Sequence, residues 1–297
     1  MNTISQWKAT TLPVVANYIE LTKPRILVMI LLTVVMAMIV AGEAVPFAVM
    51  LHACMGTAMV AASASVMNQW LERQRDAQML RTCRRPLPSG RIAASNAAWM
   101  GWVLLIVGAV YLWFFVNAPT MWVGLATWFL YVAVYTPLKP RSWTNTLIGA
   151  IPGALPVWMG WTAAGGELSD PQAWILLGIL IAWQLPHFMA IAAMYREQYE
   201  AAGYRMVTVT DRSGWGAGLH AIVGSVMLVV LAPLAIPPTS VPHALLCFLA
   251  VLAALWMLYA SVQFVRRCDS AAARKMLHVS LLQLPITMLT IIAAQWF

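Results

Sequence analysis

The chain has 297 residues, of which 62% are hydrophobic and only 9% are charged, and its formal net charge is +8. Ordinary soluble domains are roughly half apolar and about one quarter charged, so this composition excludes a soluble globular domain. It also excludes a disordered chain, a coiled coil and a collagen, because the chain is too apolar and lacks their repeats. We therefore expect an all-α polytopic membrane protein.

Nine apolar segments are long enough to cross a membrane, which takes about 20 residues. They are residues 26–42, 46–70, 92–115, 119–136, 145–164, 172–195, 216–236, 242–264 and 277–296. Pro152, Pro156 and Pro186 fall inside these segments and predict kinks or locally opened backbone. We interpret residues 1–297 as a single domain.

The distribution of charge predicts the orientation of the chain. All 18 Lys and Arg residues lie before the first segment or in the loops after the second, fourth, sixth and eighth. The remaining loops carry only Glu43, Glu167 and Asp170. Because cytoplasmic loops collect Lys and Arg, we expect the N-terminus in the cytoplasm and the C-terminus outside a cell (inner) membrane. The positive charge then reflects topology, and we expect no nucleic-acid partner.

The first long loop begins with an amide and two carboxylates spaced four residues apart. Asn68, Glu72 and Asp76 would share one face of a helix end. Their oxygens suit one or two hard cations such as Mg²⁺, which binds through few carboxylates plus substrate phosphate oxygens. Asn68 lies at membrane depth, where polar groups are costly and tend to be functional. A solvated helix end with ion pairs is the alternative reading of the same spacing.

Basic residues near these carboxylates predict an anionic ligand. A diphosphate is large enough to contact both a metal ion and several guanidinium groups. Lys139 and Arg141, after the fourth segment, are either a third wall of this site or ordinary loop charges. The candidate diphosphate-binding residues are Arg81, Arg84, Arg85, Arg91, Lys139 and Arg141.

A second polar motif surrounds the end of the sixth segment. His187 follows Gln184 and Pro186, which favours the wall of a polar cavity over a core histidine. Glu197 and Tyr199 follow shortly afterwards, at the same end of the segment. We expect His187 to contact a substrate and Glu197 to face the phosphate region.

The motifs resemble those of the UbiA superfamily of intramembrane prenyltransferases and, within it, the haem O synthase (protoheme IX farnesyltransferase) branch. Gln74 and Gln198 stand where that branch usually carries Asp, which puts a second Mg²⁺ and full activity in question. The similar stretches are Asn68-x-x-x-Glu72-x-x-x-Asp76, Arg81-Thr-Cys-Arg-Arg85-Pro-Leu, Tyr135-Thr-Pro-Leu-Lys139, Trp183-Gln-Leu-Pro-His187-Phe188 and Tyr199-Glu-Ala-Ala-Gly203.

The resemblance implies a nine-helix bundle around a central cavity and transfer of the farnesyl group of farnesyl diphosphate to a vinyl group of haem b. It implies a catalytic set of Asn68, Glu72, Asp76 and His187, with Mg²⁺ held by the first three and the porphyrin contacted by His187. The implied partners are farnesyl diphosphate, haem b and membrane lipid, and association with the enzyme that converts haem O to haem A is left open. The alternatives are a UbiA-type enzyme acting on an aromatic or chlorin acceptor, an inactive haem-binding relative, and a transporter.

Overall fold

The computed structural model describes residues 14–42 and 44–297, and the regular structure of these residues is entirely helical. Lys8 and Glu43, which contributed to the predicted orientation, lie outside the described residues. The helices are α1 (Val14–Leu21), α2 (Pro24–Ala41), α3 (Phe47–Asp76), α4 (Ala94–Phe115), α5 (Ala118–Phe129), a π-helix (Leu130–Tyr135), α6 (Thr136–Leu138), α7 (Asn145–Ala154), α8 (Pro156–Ala163), α9 (Pro171–Met194), α10 (Arg196–Ala201), α11 (Val207–Thr210), α12 (Trp215–Ala235), α13 (Val241–Arg267) and α14 (Ser270–Ala293), which ends in a 3₁₀ turn (Ala294–Trp296).

Eight helical segments within the described ranges are long and apolar enough to cross a membrane. They correspond to all the predicted segments except the fifth, residues 145–164, which forms the two short helices α7 and α8. The break falls at Leu155, directly before Pro156, whose missing N–H cannot continue the helical hydrogen bonding. The helix is therefore interrupted at Pro156, whereas α7 continues through Pro152 and α9 continues through Pro186. The count of nine spans stays a prediction.

The helices follow one another around a closed bundle. α3 packs on α4, α9 packs on α12, and α13 packs on both α12 and α14. The last helix, α14, also touches α2 and α9, so the C-terminal half of the chain returns to the N-terminal half. A buried interior is thus shared by residues that are distant in the sequence.

In α4, the residues that face the interior differ in size from those that face the lipid. Its buried face carries small residues such as Gly101 and Gly108, whereas Trp99, Ile106 and Phe114 are exposed. A side chain added at Gly108 would meet Met59 and Val60 of α3 at about 3 Å. Small residues allow transmembrane helices to approach closely, and lipid tails solvate the large ones.

The loops that carry the predicted motifs meet at one end of the bundle. The Arg205 N–H donates to the Lys139 carbonyl oxygen at 2.9 Å. The buried Asn145 side chain donates to the carbonyl oxygens of Ser142 at 2.6 Å and of Arg205 at 3.0 Å. The Arg81 N–H donates to Gln198 Oε1 at 3.2 Å. The segments after α3, α6 and α9 therefore surround one site.

Candidate active site

The last two turns of α3 present a buried polar face at this end of the bundle. Asn68, Glu72 and Asp76 are 1%, 5% and 2% exposed. Their spacing of four residues places them on one side of the helix. Gln74, two residues from Glu72, points the other way and is exposed. The reading of these residues as a solvated helix end is therefore wrong, and Gln74 lies on the opposite face from the buried set.

Each of the three residues contacts a separate cation. Lys23 Nζ donates to Asn68 Oδ1 at 2.9 Å. Lys139 Nζ lies 2.8 Å from Glu72 Oε1, and Arg85 Nη1 lies 2.7 Å from Asp76 Oδ2. The cluster thus holds two carboxylates and three cationic side chains, so it carries a surplus positive charge when all five are ionised. We call these five side chains and Asn68 the charged cluster.

Lys139 is held as a cation by its surroundings. Burial alone would lower its pKa, but the Glu72 carboxylate outweighs that effect and raises the pKa of Lys139 well above its usual value. The ammonium also lies 4.7 Å from the centre of the Tyr135 ring. Tyr135 and Lys139 are one turn apart, so the sequence Tyr-Thr-Pro-Leu-Lys places the Tyr135 ring beside the ammonium that pairs with Glu72.

Lys23, which is not among the predicted site residues, lies in the same cluster. Lys23 directly precedes Pro24, the first residue of α2, and adopts a left-handed backbone conformation with φ of 53°. Burial, and next the neighbouring Arg85 guanidinium, lower the pKa of Lys23 to about 7. The only sequence signal was a basic residue directly before the first span, which resembles any positive-inside charge.

The donors of the charged cluster fit a hard cation. Glu72 Oε1 is buried, and the Lys139 ammonium lies against it at 2.8 Å. Asn68 Oδ1 and Asp76 Oδ2 lie on the same face of α3. Two carboxylates and one amide are few ligands, and Mg²⁺ completes such sets with water and phosphate oxygens.

The remaining basic residues of the predicted diphosphate site make other contacts. Arg81 lies over the Tyr195 ring at 5.1 Å and donates to the Tyr199 hydroxyl at 3.3 Å. Arg91 binds the side chains of Asn17 and Glu20, on α1. Arg84 and Arg141 are exposed. Of the six predicted residues, Arg85 and Lys139 contact the carboxylates of α3, and the role of the other four stays a prediction.

The second motif is more open than the first. Glu197 is exposed on α10 and forms no hydrogen bond or ion pair within the described part of the chain. Tyr199 is half-buried and contacts Arg81, which joins the two long loops. Gln198, which also bonds to Arg81, connects the same loops through a neutral contact.

His187 lies on α9, within the bundle, and its Nδ1 lies 2.8 Å from Ser280 Oγ. Ser280 Oγ also lies 2.7 Å from the Leu277 carbonyl oxygen, which can accept its single proton. When the hydroxyl donates to that carbonyl, Nδ1–H donates to Ser280 and the lone pair of Nε2 is available. The Trp183 ring stacks on the imidazole at 4.6 Å.

The model of the UbiA prenyltransferase family matches residues 29–282 of the chain. The chain belongs to the UbiA prenyltransferase family. It is 44% identical to a protein of Rhodopirellula baltica named protoheme IX farnesyltransferase, over 91% of this chain and 97% of that protein. It is 36% identical to a Solibacter usitatus protein of the same name, over 91% of this chain and 95% of the relative.

Solved structures show the same UbiA fold. A structure described as digeranylgeranylglyceryl phosphate synthase aligns with a TM-score of 0.76 at 15% identity, covering 95% of this chain and 99% of that one. A UbiA homologue from Archaeoglobus fulgidus bound to DMAPP and Mg²⁺ aligns with a TM-score of 0.66 at 16% identity, covering 93% of this chain and 99% of the other. This UbiA chain is a multi-pass membrane enzyme, a prenyltransferase.

Proposed function

We propose that this enzyme transfers the farnesyl group of farnesyl diphosphate to a vinyl group of haem b and so forms haem O. The observation that carries the proposal is the charged cluster, in which buried carboxylates and cations meet at the end of the bundle where the long loops converge. The relatives named protoheme IX farnesyltransferase support the choice of the two substrates.

Breaking the bond between an allylic carbon and a diphosphate leaves negative charge on the departing pyrophosphate. Lys23, Lys139 and Arg85 are held by the fold before the substrate arrives, and preorganised cations stabilise such charge strongly in a dry site. Mg²⁺, when bound by Asn68, Glu72 and Asp76, would supply further Lewis-acid stabilisation of the leaving group. No proton transfer is needed to release the pyrophosphate.

The farnesyl cation requires a site that excludes water until the carbon–carbon bond has formed. His187 and the stacked Trp183 lie on α9, whose buried residues are mostly apolar. Aromatic rings stabilise a nearby cation. In this proposal His187 contacts the porphyrin, while the charged cluster binds the diphosphate.

The remaining parts of the proposal concern topology and partners. The segregation of Lys and Arg supports an N-terminus in the cytoplasm and a C-terminus outside the inner membrane. The diphosphate site would then open to the cytoplasmic side. Six further side chains of the two motifs would contact the bound substrates: Arg81, Arg84, Arg91, Arg141, Glu197 and Tyr199. Association with the enzyme that converts haem O to haem A is part of the same hypothesis.

The test is expression of the full chain in a bacterial strain that lacks its own haem O synthase, followed by mass spectrometry of the extracted haems. We expect haem O, which is haem b plus a farnesyl group and a hydroxyl group derived from water. A prenylated aromatic acid or chlorin instead would place the enzyme in another UbiA branch. Unmodified haem b, with the protein present in the membrane, would favour an inactive haem-binding relative, which the substitutions Gln74 and Gln198 make a real alternative.

A further inference from the structure

The last membrane span carries a polar face that the charged cluster does not include. Ser280, Gln283, Thr287 and Thr290 follow one another at intervals of three and four residues along α14. These intervals place them on one side of the helix. All four are buried, and Gln283 is fully inaccessible. Polar groups are costly at membrane depth and tend to be functional there.

Two of these residues retain unused hydrogen-bonding capacity. Gln283 Nε2 donates to Thr287 Oγ1 at 2.9 Å. Among the described residues, no group donates to Gln283 Oε1, and the Thr287 hydroxyl donates to none. Turning the amide over would satisfy the oxygen and leave the NH₂ group without an acceptor. A buried polar atom without a partner costs about 1–3 kcal/mol, so this pair favours a small polar ligand.

The polar face begins beside His187 and continues away from the charged cluster. Ser280 bonds to His187 Nδ1, and Gln283 lies one turn further along α14. With a rise of about 1.5 Å per residue, Thr290 lies roughly 15 Å beyond Ser280, towards the far end of the span. The face contains no charged residue, so it suits a neutral ligand rather than an ion.

We propose that Gln283 and Thr287 bind water inside the bundle, and that this water is the one that adds to the acceptor in the reaction. The inference rests on the proposed function, in which the product gains a hydroxyl group from water. Water held by fixed groups beside His187 can reach the acceptor without entering through the charged cluster, where it would meet the farnesyl cation first.

The step balances as follows. The bond between farnesyl carbon and diphosphate oxygen breaks, and its electron pair leaves with the pyrophosphate. The vinyl electron pair forms the new carbon–carbon bond, which leaves positive charge on the vinyl carbon attached to the porphyrin. A lone pair of the water oxygen bonds to that carbon, and one water proton passes to Nε2 of His187.

The experiment measures products rather than activity alone. Gln283→Met keeps the side-chain volume but removes both polar atoms. Without positioned water, the cation on the vinyl carbon loses a neighbouring proton and gives a farnesylated alkene. In membranes containing the full chain, with farnesyl diphosphate, haem b and Mg²⁺, we expect the ratio of hydroxylated product to alkene to fall about tenfold, the effect of one hydrogen bond.

Gln172→Met is the matched control, because Gln172 donates to the Ala235 carbonyl oxygen at the far end of α9. Its product ratio should equal that of the unsubstituted enzyme. Thr287→Val provides a second variant should Gln283→Met fail to insert, and we expect a fall in the same direction. An unchanged ratio in the inserted variant would overturn the inference. Absence of any farnesylated haem from the unsubstituted enzyme would instead refute the proposed function.

Discussion

The two motifs of the site are held in different ways. Glu72 and Asp76 of the first motif are buried, and each contacts a cation from another segment, whereas Glu197 of the second motif is exposed on a short helix. The second motif is joined to its surroundings by exposed contacts, such as the bond from the Arg81 guanidinium to the Tyr199 hydroxyl. A buried carboxylate requires a specific partner, so the first motif constrains the fold around it much more than the second.

Asp76→Ala should produce the largest loss of activity. It removes one predicted metal ligand and leaves the Arg85 guanidinium without its carboxylate partner. We expect haem O formation to fall at least about a hundredfold, the loss typical of removing a key charge-stabilising group. Quantitative haem extraction from membranes with matched protein levels would measure it.

Glu167→Ala is the control for Asp76→Ala, because Glu167 is an exposed carboxylate in the loop between α8 and α9. It should retain normal activity. Normal haem O formation by Asp76→Ala would remove the charged cluster from the mechanism and would end the distinction between the two motifs.

Lys139→Met should produce a large loss of stability as well as of activity. The substitution leaves Glu72 buried without its main counter-ion, and breaking a buried ion pair typically costs about 3–5 kcal/mol. We expect the double variant Glu72→Gln/Lys139→Met to regain most of the stability, because neither partner then carries an unpaired charge. Thermal unfolding in detergent of the unsubstituted protein, Glu72→Gln, Lys139→Met and the double variant gives the coupling free energy between the two residues.

A coupling near zero between Glu72 and Lys139 would show that their contact contributes little to the folded state. In that case the buried first motif would not differ energetically from the exposed second motif.

Asn145→Ala should produce the smallest of these effects. Its amide joins the Lys139 loop to the segment after α10 by bonding to the Ser142 and Arg205 carbonyl oxygens. We expect a loss of about 2 kcal/mol in unfolding free energy, and a rise of a few-fold in KM for farnesyl diphosphate as Lys139 loses its fixed position. Steady-state kinetics together with thermal unfolding separates the two effects.

Asn117→Ala is matched to Asn145→Ala, since the Asn117 side chain also bonds to a carbonyl oxygen of another helix, that of Thr162. It should lose similar stability with no change in KM. An equal KM for both variants and the unsubstituted enzyme would show that the link through Asn145 does not position the diphosphate site.

Much of the candidate site could be predicted from local spacing. The interval of four residues from Asn68 to Asp76 determines that their side chains share a helix face, whatever surrounds them. The same spacing left open whether that face is buried or solvated. Lys23 was missed because nothing local separates a site lysine from an ordinary charge before a span, and its contact with Asn68 joins residues 45 positions apart.

The sequence by itself determined the membrane class, most of the spans and the helix face that carries the carboxylates, because hydrophobic length and helical period are local properties. Only the tertiary structure decided which cations contact those carboxylates, where the fifth segment breaks, and that Arg91 binds α1 instead. The reason is physical: the partner of a buried charge is selected by the packing of distant helices, and a loop containing four arginines does not specify which guanidinium enters the interior.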